Sequence, residues 1–173
     1  MTKKIRCLIS AGPTREWIDP VRFISNPSTG KMGYALAEEA LARGFGVDLV
    51  SGPVSLTTPQ GVRLHSVVTA AEMEESMSGL FAEANLVIMC AAVCDHRPIK
   101  RWNEKLNKDD FPKNLEWEKN NDIVAGLSAN RKKDQKIIGF AAETSNAMAH
   151  AAAKVEKKGL DWIALNLSLI HIS

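Results

Sequence analysis

Short apolar runs that are rich in β-branched residues alternate along the chain with longer amphipathic segments. The short runs predict six strands, at residues 5–11, 47–51, 62–67, 85–93, 136–142 and 161–166. Apolar residues at helical spacing predict four helices, at residues 29–43, 69–84, 121–130 and 146–158. The second is expected to begin with a capping box, since Thr69 is followed three residues later by Glu72. Because strands and helices alternate, we expect an α/β fold with a Rossmann-like, doubly wound and mostly parallel sheet that carries helices on both faces.

Two connecting segments are too long for this pattern. Residues 12–28 separate the first strand from its helix, and residues 95–119 follow the fourth strand. Ordinary strand-to-helix loops have about two to six residues, and longer ones inside a compact domain tend to be functional. The first long loop also leaves the carboxyl end of a strand, where doubly wound sheets bind their ligands. We therefore expect the chemistry of this protein in these loops.

Composition narrows the class of protein. The 173 residues are enough for one domain, and 45% hydrophobic with 24% charged residues excludes a largely disordered chain. The formal net charge of +2 gives no support for a nucleic-acid partner. No apolar run is long enough to span a membrane, and the amino terminus lacks the apolar segment of a secretory signal. We expect a cytoplasmic protein that binds neither nucleic acid nor membrane.

The three cysteines, Cys7, Cys90 and Cys94, lie in or beside apolar runs. Their odd number argues against a disulfide framework, and no second pair of Cys or His residues at zinc-binding spacing accompanies them. We predict that they are reduced thiols that pack in the protein interior.

The end of the first long loop has the features of an anion-binding site. Residues 26–33 (NPSTGKMG) supply two hydroxyl groups, a glycine for close backbone approach, a lysine and the free amides of a helix start. An ordinary capped helix, in which Ser28 and Thr29 serve only their own turn, is the alternative that the sequence leaves open. Neither a Walker A loop nor the glycine fingerprint of a dinucleotide site is present, since Ser25 and Met32 stand where Walker A needs other residues.

Five segments resemble, in the same order, the motifs of the bacterial phosphopantothenoylcysteine synthetase family. They are residues 12–33, 91–95 (AAVCD), 104–108 (EKLNK), 121–125 (NDIVA) and 139–144 (GFAAET). The resemblance spans residues 5–166. It implies a homodimeric ligase of coenzyme A biosynthesis that joins (R)-4′-phosphopantothenate to L-cysteine. In that family, CTP with Mg²⁺ is converted to CMP and pyrophosphate through an acyl-cytidylate intermediate.

The resemblance also implies roles for individual residues. Asn26 is expected to contact the activated acyl group, because its amide donates to an oxygen without a change of charge, and Arg22 is expected to assist. Lys105 is expected on a flap that closes over the polyphosphate, with Lys108 in support. The phosphate- and substrate-binding residues implied by the resemblance are Gly12, Ser28, Thr29, Gly30 and Lys31. The metal ligands are not identified.

The nucleotide site implied by the resemblance draws on several segments. Asp95 follows a buried run at the carboxyl edge of a strand, and the backbone of the residues before it is expected to read the base. The implied nucleotide-binding residues are Met89, Cys90, Ala91, Asp95, Lys105, Asn121, Asp122, Ile123, Val124, Phe140, Lys154 and Lys158. Without the family motifs, Phe140 would be predicted as core, and Lys154 and Lys158 as surface cations near a helix end.

The chain also departs from the family pattern at its carboxyl end. We expect the synthetase domain to occupy residues 1–166 and to be incomplete there, because the family continues beyond its last strand. Residues 167–173 do not resemble the family and are predicted to be a non-native tail. A flavin-dependent decarboxylase domain does not precede the synthetase segment in this sequence, so we expect a separate decarboxylase in the pathway.

Two other functions remain open from the sequence. An NAD(P)-dependent reductase would use the same fold, although the glycine fingerprint is missing and the only tyrosine, Tyr34, is not part of a Tyr-x-x-x-Lys pair. A non-catalytic CTP-binding module would bind the nucleotide without turnover.

Overall fold

The computed structural model describes residues 4–142 and 147–166. Within these residues, ten strands and four helices follow one another along the chain. The strands are β1 (Arg6–Ala11), β2 (Arg15–Trp17), β3 (Phe23–Ser25), β4 (Gly46–Ser51), β5 (Arg63–Ser66), β6 (Leu86–Met89), β7 (His96–Pro98), β8 (Trp117–Lys119), β9 (Lys136–Ala142) and β10 (Trp162–Asn166). The helices are α1 (Lys31–Ala42), α2 (Ala70–Phe81), α3 (Ile123–Ala129) and α4 (Ala147–Lys158).

Six of these strands form one parallel sheet in the order β10-β9-β6-β1-β4-β5. In chain order, β4 and β5 are added on one side of β1. Strands β6, β9 and β10 are then added on its other side. The order reverses between β1 and β6, where Ser10 pairs with Met89. The predicted doubly wound parallel sheet is confirmed, and such sheets bind ligands at this reversal point.

Helices cover both faces of the sheet because successive residues of β1 point to opposite sides and are apolar on each. On one face, α1 buries Tyr34, Ala37 and Ala40 in a cluster with Cys7 and Ile9. The cluster on the other face includes Leu8, Val50 and Val87 of the sheet with Met73, Met77, Phe81, Ile123 and Leu127 of α2 and α3. Among the described residues, no helix is both long and apolar enough to cross a bilayer.

Helix α1 packs closely on β1 at Gly33. A Cβ atom built on Gly33 would lie 2.5 Å from the Cβ of Ala11, well inside van der Waals contact. Glycine at this position therefore lets the first turn of α1 approach the carboxyl end of β1. This contact holds the start of the helix over the edge of the sheet where ligands are expected.

Strand β6 is shorter than predicted, whereas the other bounds agree to within a few residues. The expected strand continued to residue 93, but β6 ends at Met89. The Oγ atom of Ser10 accepts hydrogen bonds from the backbone N–H groups of Cys90 and Ala91, at 3.1 and 3.2 Å. The prediction is wrong here because a side chain, rather than a neighbouring strand, binds these two amides and the chain leaves the sheet.

Both long loops contain a short antiparallel hairpin that the sequence pattern does not predict. β2 pairs with β3, and β7 pairs with β8. Each of these strands has three residues, too few to show an alternating pattern. The first hairpin is fixed to the start of α2, since Glu16 accepts a hydrogen bond from Ala70 N at 2.9 Å. The predicted capping box of α2, between Thr69 and Glu72, is confirmed.

The three cysteines are free thiols in the described part of the chain, as predicted. Cys7 and Cys94 are buried, and Cys90 is half-buried. Burial raises the pKa of the Cys7 thiol to about 12 and that of Cys90 to about 11. These thiols therefore remain protonated at neutral pH and serve as small apolar side chains.

Candidate functional site

The loops that follow β1 and β6 run side by side at the reversal point of the sheet. Pro13 and Ala92 form one further parallel bridge beyond the strands. The carbonyl oxygen of Gly12 accepts from Ala92 N at 2.9 Å, and that of Ala92 accepts from Thr14 N at 3.3 Å. We call this region, residues 12–30 with residues 90–95, the reversal edge. Most residues of the predicted acyl and phosphate sites lie on it.

Gly12 and Gly30 lie next to each other at the reversal edge. Both have a left-handed backbone, with φ of 70° and 75°. A Cβ atom on Gly30 would lie 3.5 Å from the Cα and N atoms of Gly12 and 2.9 Å from Cγ1 of Val54. Glycine is required at both positions because another L-residue would be strained at this φ and would also lack space. The structure thus brings two predicted phosphate-binding residues together.

Helix α1 starts beside this pair without a side-chain cap. Its N-cap residue is Gly30, and no side chain accepts a hydrogen bond from its first turn in the manner of a cap. The Oγ of Ser28 accepts from Gly30 N at 3.3 Å, and the Oγ1 of Thr29 accepts from Lys31 N at 3.5 Å. The two hydroxyls do serve their own turn, as the alternative interpretation expects. They nevertheless stand beside an uncapped helix start and the exposed Lys31, which together suit an anion.

Asn26 is exposed at the end of the first hairpin and reaches across to the loop after β6. Its Nδ2 donates to the carbonyl oxygen of Val93 at 3.0 Å. Ser25 beside it donates through Oγ to the carbonyl oxygen of Thr14 at 2.7 Å, and Thr14 in turn accepts from Cys94 N at 2.9 Å. These bonds orient the side-chain amide of Asn26. Its second N–H and its Oδ1 atom can then serve other partners.

Asp95 follows Cys94 directly in the sequence, and the second hairpin fixes its backbone. The carbonyl oxygen of Asp95 accepts from Asn120 N at 2.9 Å, and Asn120 Nδ2 donates to the carbonyl oxygen of Cys94 at 2.8 Å. The Asp95 residue is exposed. The backbone at residues 89–91 is predicted to read a base. The number of backbone atoms that can do so is reduced, because the N–H groups of Cys90 and Ala91 are already bonded to Ser10. A base at this position would contact other atoms.

Arg22 lies at the turn of the first hairpin and contacts the second long loop. Its Nη1 lies 2.7 Å from Oδ2 of Asp19, and its Nη2 donates to the carbonyl oxygen of Leu106 at 3.2 Å. The guanidinium also stacks over the ring of Phe111, 4.8 Å from its centre. Among the contacts of the described residues, the Arg22 side chain thus goes to Asp19 and the flap rather than to Asn26.

The flap that carries Lys105 forms a cavity of its own. The cavity has a volume of about 390 Å³ and is lined by Trp102, Asn103, Glu104, Lys105, Leu106, Asn107 and Asp110. Lys105 and Lys108 are exposed. The flap meets the first long loop through Leu106, whose N–H donates to Asp19 and whose carbonyl oxygen accepts from Arg22. Exposure and this anchoring leave the Lys105 ammonium accessible to a bound anion.

The start of α3 and the end of α4 meet at an ion pair. Asp122 is the N-cap of α3 and accepts from Ala125 N at 3.1 Å. Lys158 Nζ lies 3.0 Å from Asp122 Oδ2. Burial raises the pKa of Asp122, but the Ala125 and Val124 amides and the Lys158 ammonium outweigh this effect and hold it below its usual value. The structure therefore brings two predicted nucleotide-binding residues together, with a carboxylate already at the helix start.

The remaining predicted nucleotide-binding residues differ in their exposure. Ile123 is buried in the core, and Val124 packs against it, so that their backbone rather than their side chains is available to a ligand. Phe140 is half-buried and packs against the cluster under α1. Asn121 is exposed and donates through Nδ2 to both carboxylate oxygens of Glu74, at 3.1 and 3.0 Å. Lys154 is half-buried.

Sequence reasoning did not identify Asp19 and Ser10 as parts of this region. Asp19 is completely buried and organises the contact between the two long loops. Asp19 lies within the motif at residues 12–33, but its own residue type signals only a turn, through the Asp-Pro pair. Ser10 lies in an apolar strand, and its role depends on the loop after β6, about eighty residues away, at Cys90 and Ala91. No sequence pattern reports such a contact.

Known proteins share both sequence and fold with this chain. The chain matches the model of the DNA/pantothenate metabolism flavoprotein C-terminal domain over residues 2–169. It is 47% identical over 161 residues to the coenzyme A biosynthesis bifunctional protein CoaBC of Vibrio vulnificus (strain YJ016), covering 92% of this chain and 40% of that protein. It is 46% identical over 169 residues to CoaBC of Escherichia coli (strain K12), covering 95% of this chain and 41% of that protein. The chain thus spans about two fifths of the length of these relatives.

Two solved structures share the fold. A Cab2 mutant in complex with phosphopantothenate-cysteine superimposes with a TM-score of 0.79 at 18% identity, covering 95% of this chain and 73% of that chain, and supports the fold alone. The C-terminal domain of CoaBC superimposes with a TM-score of 0.83 at 41% identity, covering 95% of this chain and 78% of that chain. Because the family model covers nearly the whole chain, the protein belongs to the family of the DNA/pantothenate metabolism flavoprotein C-terminal domain.

Proposed function

We propose that this domain is a phosphopantothenate–cysteine ligase, which joins 4′-phosphopantothenate to L-cysteine and converts CTP to CMP and pyrophosphate. The observation that carries the proposal is the likeness to the C-terminal domain of CoaBC, at 41% identity over 95% of this chain. The names of the curated relatives place those proteins in coenzyme A biosynthesis. The grouping of polar residues at the reversal edge supports a ligand site there.

The reaction proceeds in two steps. A carboxylate oxygen of 4′-phosphopantothenate attacks the α-phosphorus of CTP, the bond from that phosphorus to the bridging oxygen breaks, and pyrophosphate leaves. The amine nitrogen of cysteine then attacks the acyl carbon and loses a proton to solvent, while the bond between that carbon and the phosphate oxygen breaks and CMP leaves. Both steps build negative charge on oxygen, which oriented donors and cations stabilise.

We propose that Asn26 and Arg22 contact the acyl group of the substrate. The hydrogen bond from Asn26 to Val93 orients the amide before substrate binds, and its second N–H donates to the acyl or phosphoryl oxygen. Arg22 supplies positive charge from the same loop. The phosphate of the substrate is assigned to Gly12, Ser28, Thr29, Gly30 and Lys31.

We propose that the nucleotide binds at the loop after β6 and at the place where the start of α3 meets the end of α4. Asp95 and the backbone of residues 89–91, through atoms other than the Cys90 and Ala91 N–H groups, contact the cytidine, and residues 121–124 with Phe140, Lys154 and Lys158 lie toward its phosphates. Lys105 closes over the polyphosphate from the flap and offsets the charge that develops during cytidylyl transfer. The exposed position of Lys105 and the Lys158–Asp122 pair support these assignments.

Mg²⁺ is assigned to the nucleotide as Mg·CTP, a co-substrate. The described residues contain no group of three or more His, Cys, Asp or Glu side chains that could hold a metal ion. In nucleotide sites, Mg²⁺ is usually held through one or two carboxylates together with substrate phosphates and water. The residues of this domain therefore fit an ion that arrives on the phosphates rather than a resident one.

A homodimer, a cytoplasmic location and a separate flavin-dependent decarboxylase remain predictions. Exposed apolar side chains on and beside the two hairpins support self-association, because such patches mark interaction surfaces. They are Val21, Phe23, Ile24, Ile99 and Trp117. The NAD(P)-dependent reductase is not favoured, since the chain after β1 turns into the β2–β3 hairpin rather than a glycine-rich turn into a helix.

The test is pyrophosphate release by the purified chain with 4′-phosphopantothenate, L-cysteine, Mg²⁺ and either CTP or ATP, with the mass of the product read in parallel. Asn26→Ala is expected to lower kcat by about 100-fold or more, the usual cost of one oriented donor. Asn130→Ala is the matched control, because Asn130 also makes one hydrogen bond from Nδ2 to a backbone carbonyl, that of Gly126, but at the far end of α3. It should leave kcat unchanged.

Three results are informative. CTP-dependent formation of the cysteine adduct that is lost in Asn26→Ala supports the ligase. Thermal protection by CTP without turnover would instead indicate the CTP-binding module. Neither turnover nor protection would reject the proposed function for this chain.

A further inference from the structure

The two long loops are joined at one buried carboxylate, that of Asp19. The Oδ2 atom of Asp19 lies 2.7 Å from Nη1 of Arg22 and accepts from Leu106 N at 3.3 Å. Its Oδ1 atom accepts from the backbone N–H groups of Val21 and Arg22, at 2.8 and 2.7 Å. One oxygen therefore shapes the turn of the first hairpin, and the other connects that turn to the flap.

The charge of Asp19 is essential to this arrangement. The Asp19 side chain is fully buried, and its oxygens accept from Val21, Arg22 and Leu106 and face no other acceptor among the hydrogen bonds of the described residues. Burial raises the pKa of its carboxyl, but the amides of Val21, Arg22 and Leu106 and the Arg22 guanidinium outweigh this effect and hold the pKa below its usual value. Asparagine has the same shape, but its NH₂ group would meet N–H donors of Arg22 and Leu106 or of the turn.

Three further contacts tie the same two loops together around Lys105. The carbonyl oxygen of Ile18 accepts from Trp102 N at 2.9 Å. Arg22 donates through Nη2 to the carbonyl oxygen of Leu106 at 3.2 Å and stacks 4.8 Å from the centre of the Phe111 ring. The flap is thus held before, directly after and beyond Lys105. Loss of Asp19 would release the Leu106 amide, next to Lys105, and would free Arg22 at the same time.

We propose that Asp19 is a positioning residue, which holds the Arg22 guanidinium and the Lys105 flap in one geometry so that one cation acts at the acyl group and the other at the polyphosphate with which it reacts. This inference rests on the proposed function of Lys105 and Arg22. It assigns to a residue outside the predicted site the task of coupling the two loops that carry it. Positioning of this kind affects the chemical step, because small displacements of a catalytic group lower the rate strongly.

Kinetics test the coupling through a double-mutant cycle. Asp19→Asn is expected to lower kcat for pyrophosphate release on the order of tenfold to 100-fold, with KM for CTP changed less than about threefold. In a chain that already carries Lys105→Ala, Asp19→Asn should cost clearly less than it does alone, because it acts partly through Lys105. Full additivity would overturn the proposal, whereas no effect of Lys105→Ala alone would reject only the proposed role of that lysine.

Asp48→Asn is the matched control for loss of a buried carboxylate. Asp48 accepts from Arg6, Arg63 and His65 on β1 and β5, and it lies in the amino-terminal half of β4, away from the reversal edge. This variant should lose thermal stability with kcat unchanged. Equal losses of kcat in both variants would show that Asp19→Asn acts through general destabilisation, and the proposal would fail.

Limited trypsin digestion tests the anchoring without any need for activity. Asp19→Asn is expected to speed cleavage after Lys105 and Lys108 by about tenfold, since local opening becomes easier, while cleavage after Lys133 on a distant turn stays at the wild-type rate. If Asp19→Asn does not fold, Phe111→Leu removes the ring under Arg22 and should change cleavage in the same direction to a smaller extent. Unchanged cleavage at Lys105 and Lys108 in a folded variant would overturn the anchoring.

Discussion

The Lys158 ammonium lies 3.0 Å from the Asp122 carboxylate, so that the last turn of α4 is tied to the N-cap residue of α3. Both side chains are partly exposed, at 31% and 45%. An ion pair in such a position contributes less than about 1 kcal/mol to folding, because water screens it. The pair therefore serves to place a cation rather than to stabilise the fold.

We predict that Lys158→Gln separates ligand binding from stability. The free energy of unfolding should fall by less than about 1 kcal/mol, whereas KM for CTP should rise severalfold because the proposed nucleotide site loses a cation. Urea unfolding and steady-state kinetics measure the two quantities. Lys157→Gln is the control, since Lys157 lies in the same turn and is exposed. An equal rise of KM in both variants would contradict a specific role of Lys158.

Two helical glycines should respond to alanine in opposite directions. In Gly33→Ala the new methyl would meet the Cβ of Ala11 at 2.5 Å, so we expect a loss of about 1–3 kcal/mol from overpacking. In Gly79→Ala nothing lies within 4 Å of the new Cβ, so the better helix propensity of alanine should stabilise by up to about 1 kcal/mol. Chemical denaturation of both variants provides the comparison. A stabilising Gly33→Ala would show that α1 is not in close contact with β1.

The contribution of Asp48 to stability should depend on pH in a defined direction. Burial raises the pKa of its carboxyl, but hydrogen bonds from Arg63, His65 and Arg6 outweigh this effect and hold the pKa below its usual value. The stabilisation is therefore complete above about pH 4, the ordinary aspartate pKa, and is lost as the pH falls through the lower folded value. Asp48→Asn should destabilise at pH 7 by about 2 kcal/mol, with a smaller difference near pH 3. A difference that grows on acidification would contradict this assignment.

The cysteines should label slowly in the native state. Because burial raises the pKa of Cys7 to about 12 and that of Cys90 to about 11, almost no thiolate is present at pH 8. We expect native protein to react with a disulfide reagent far more slowly than protein unfolded in guanidinium, in which Cys7, Cys90 and Cys94 react freely. Absorbance of the released thiol follows both reactions. Rapid labelling of Cys7 in native protein would be incompatible with its burial in the sheet.

The order of strands and helices could be predicted from the sequence because each long element carries its own apolar period. The capping box at Thr69 and Glu72 is a local signal, and it appears as expected. The two hairpins could not be predicted, since strands of three residues show no period. They are held instead by contacts with distant segments, such as the bond from Arg15 N to the carbonyl oxygen of Val68.

The residues of the candidate site show the same difference between local sequence signals and contacts with distant segments. Motif residues such as Asn26 and Asp95 can be found because their types and spacing resemble a family. The side chains that hold the loops together follow no spacing: Asp19 binds Leu106, 87 residues further along the chain, and Ser10 binds Ala91, 81 residues away. These contacts depend on the closed fold, in which loops from separate strands meet.

Gly12 and Gly30 are buried side by side, Gly12 directly after β1 and Gly30 directly before α1. Substitution cannot change the chemistry of a peptide group, and both positions exclude a side chain. The backbone geometry at this point is therefore fixed, whichever ligand the domain binds. Any change in which carboxylate or nucleotide the domain prefers must arise in the surrounding loops, so selection experiments for altered substrates should accumulate substitutions near Asn26, Asp95 and Lys105 and leave the two glycines untouched.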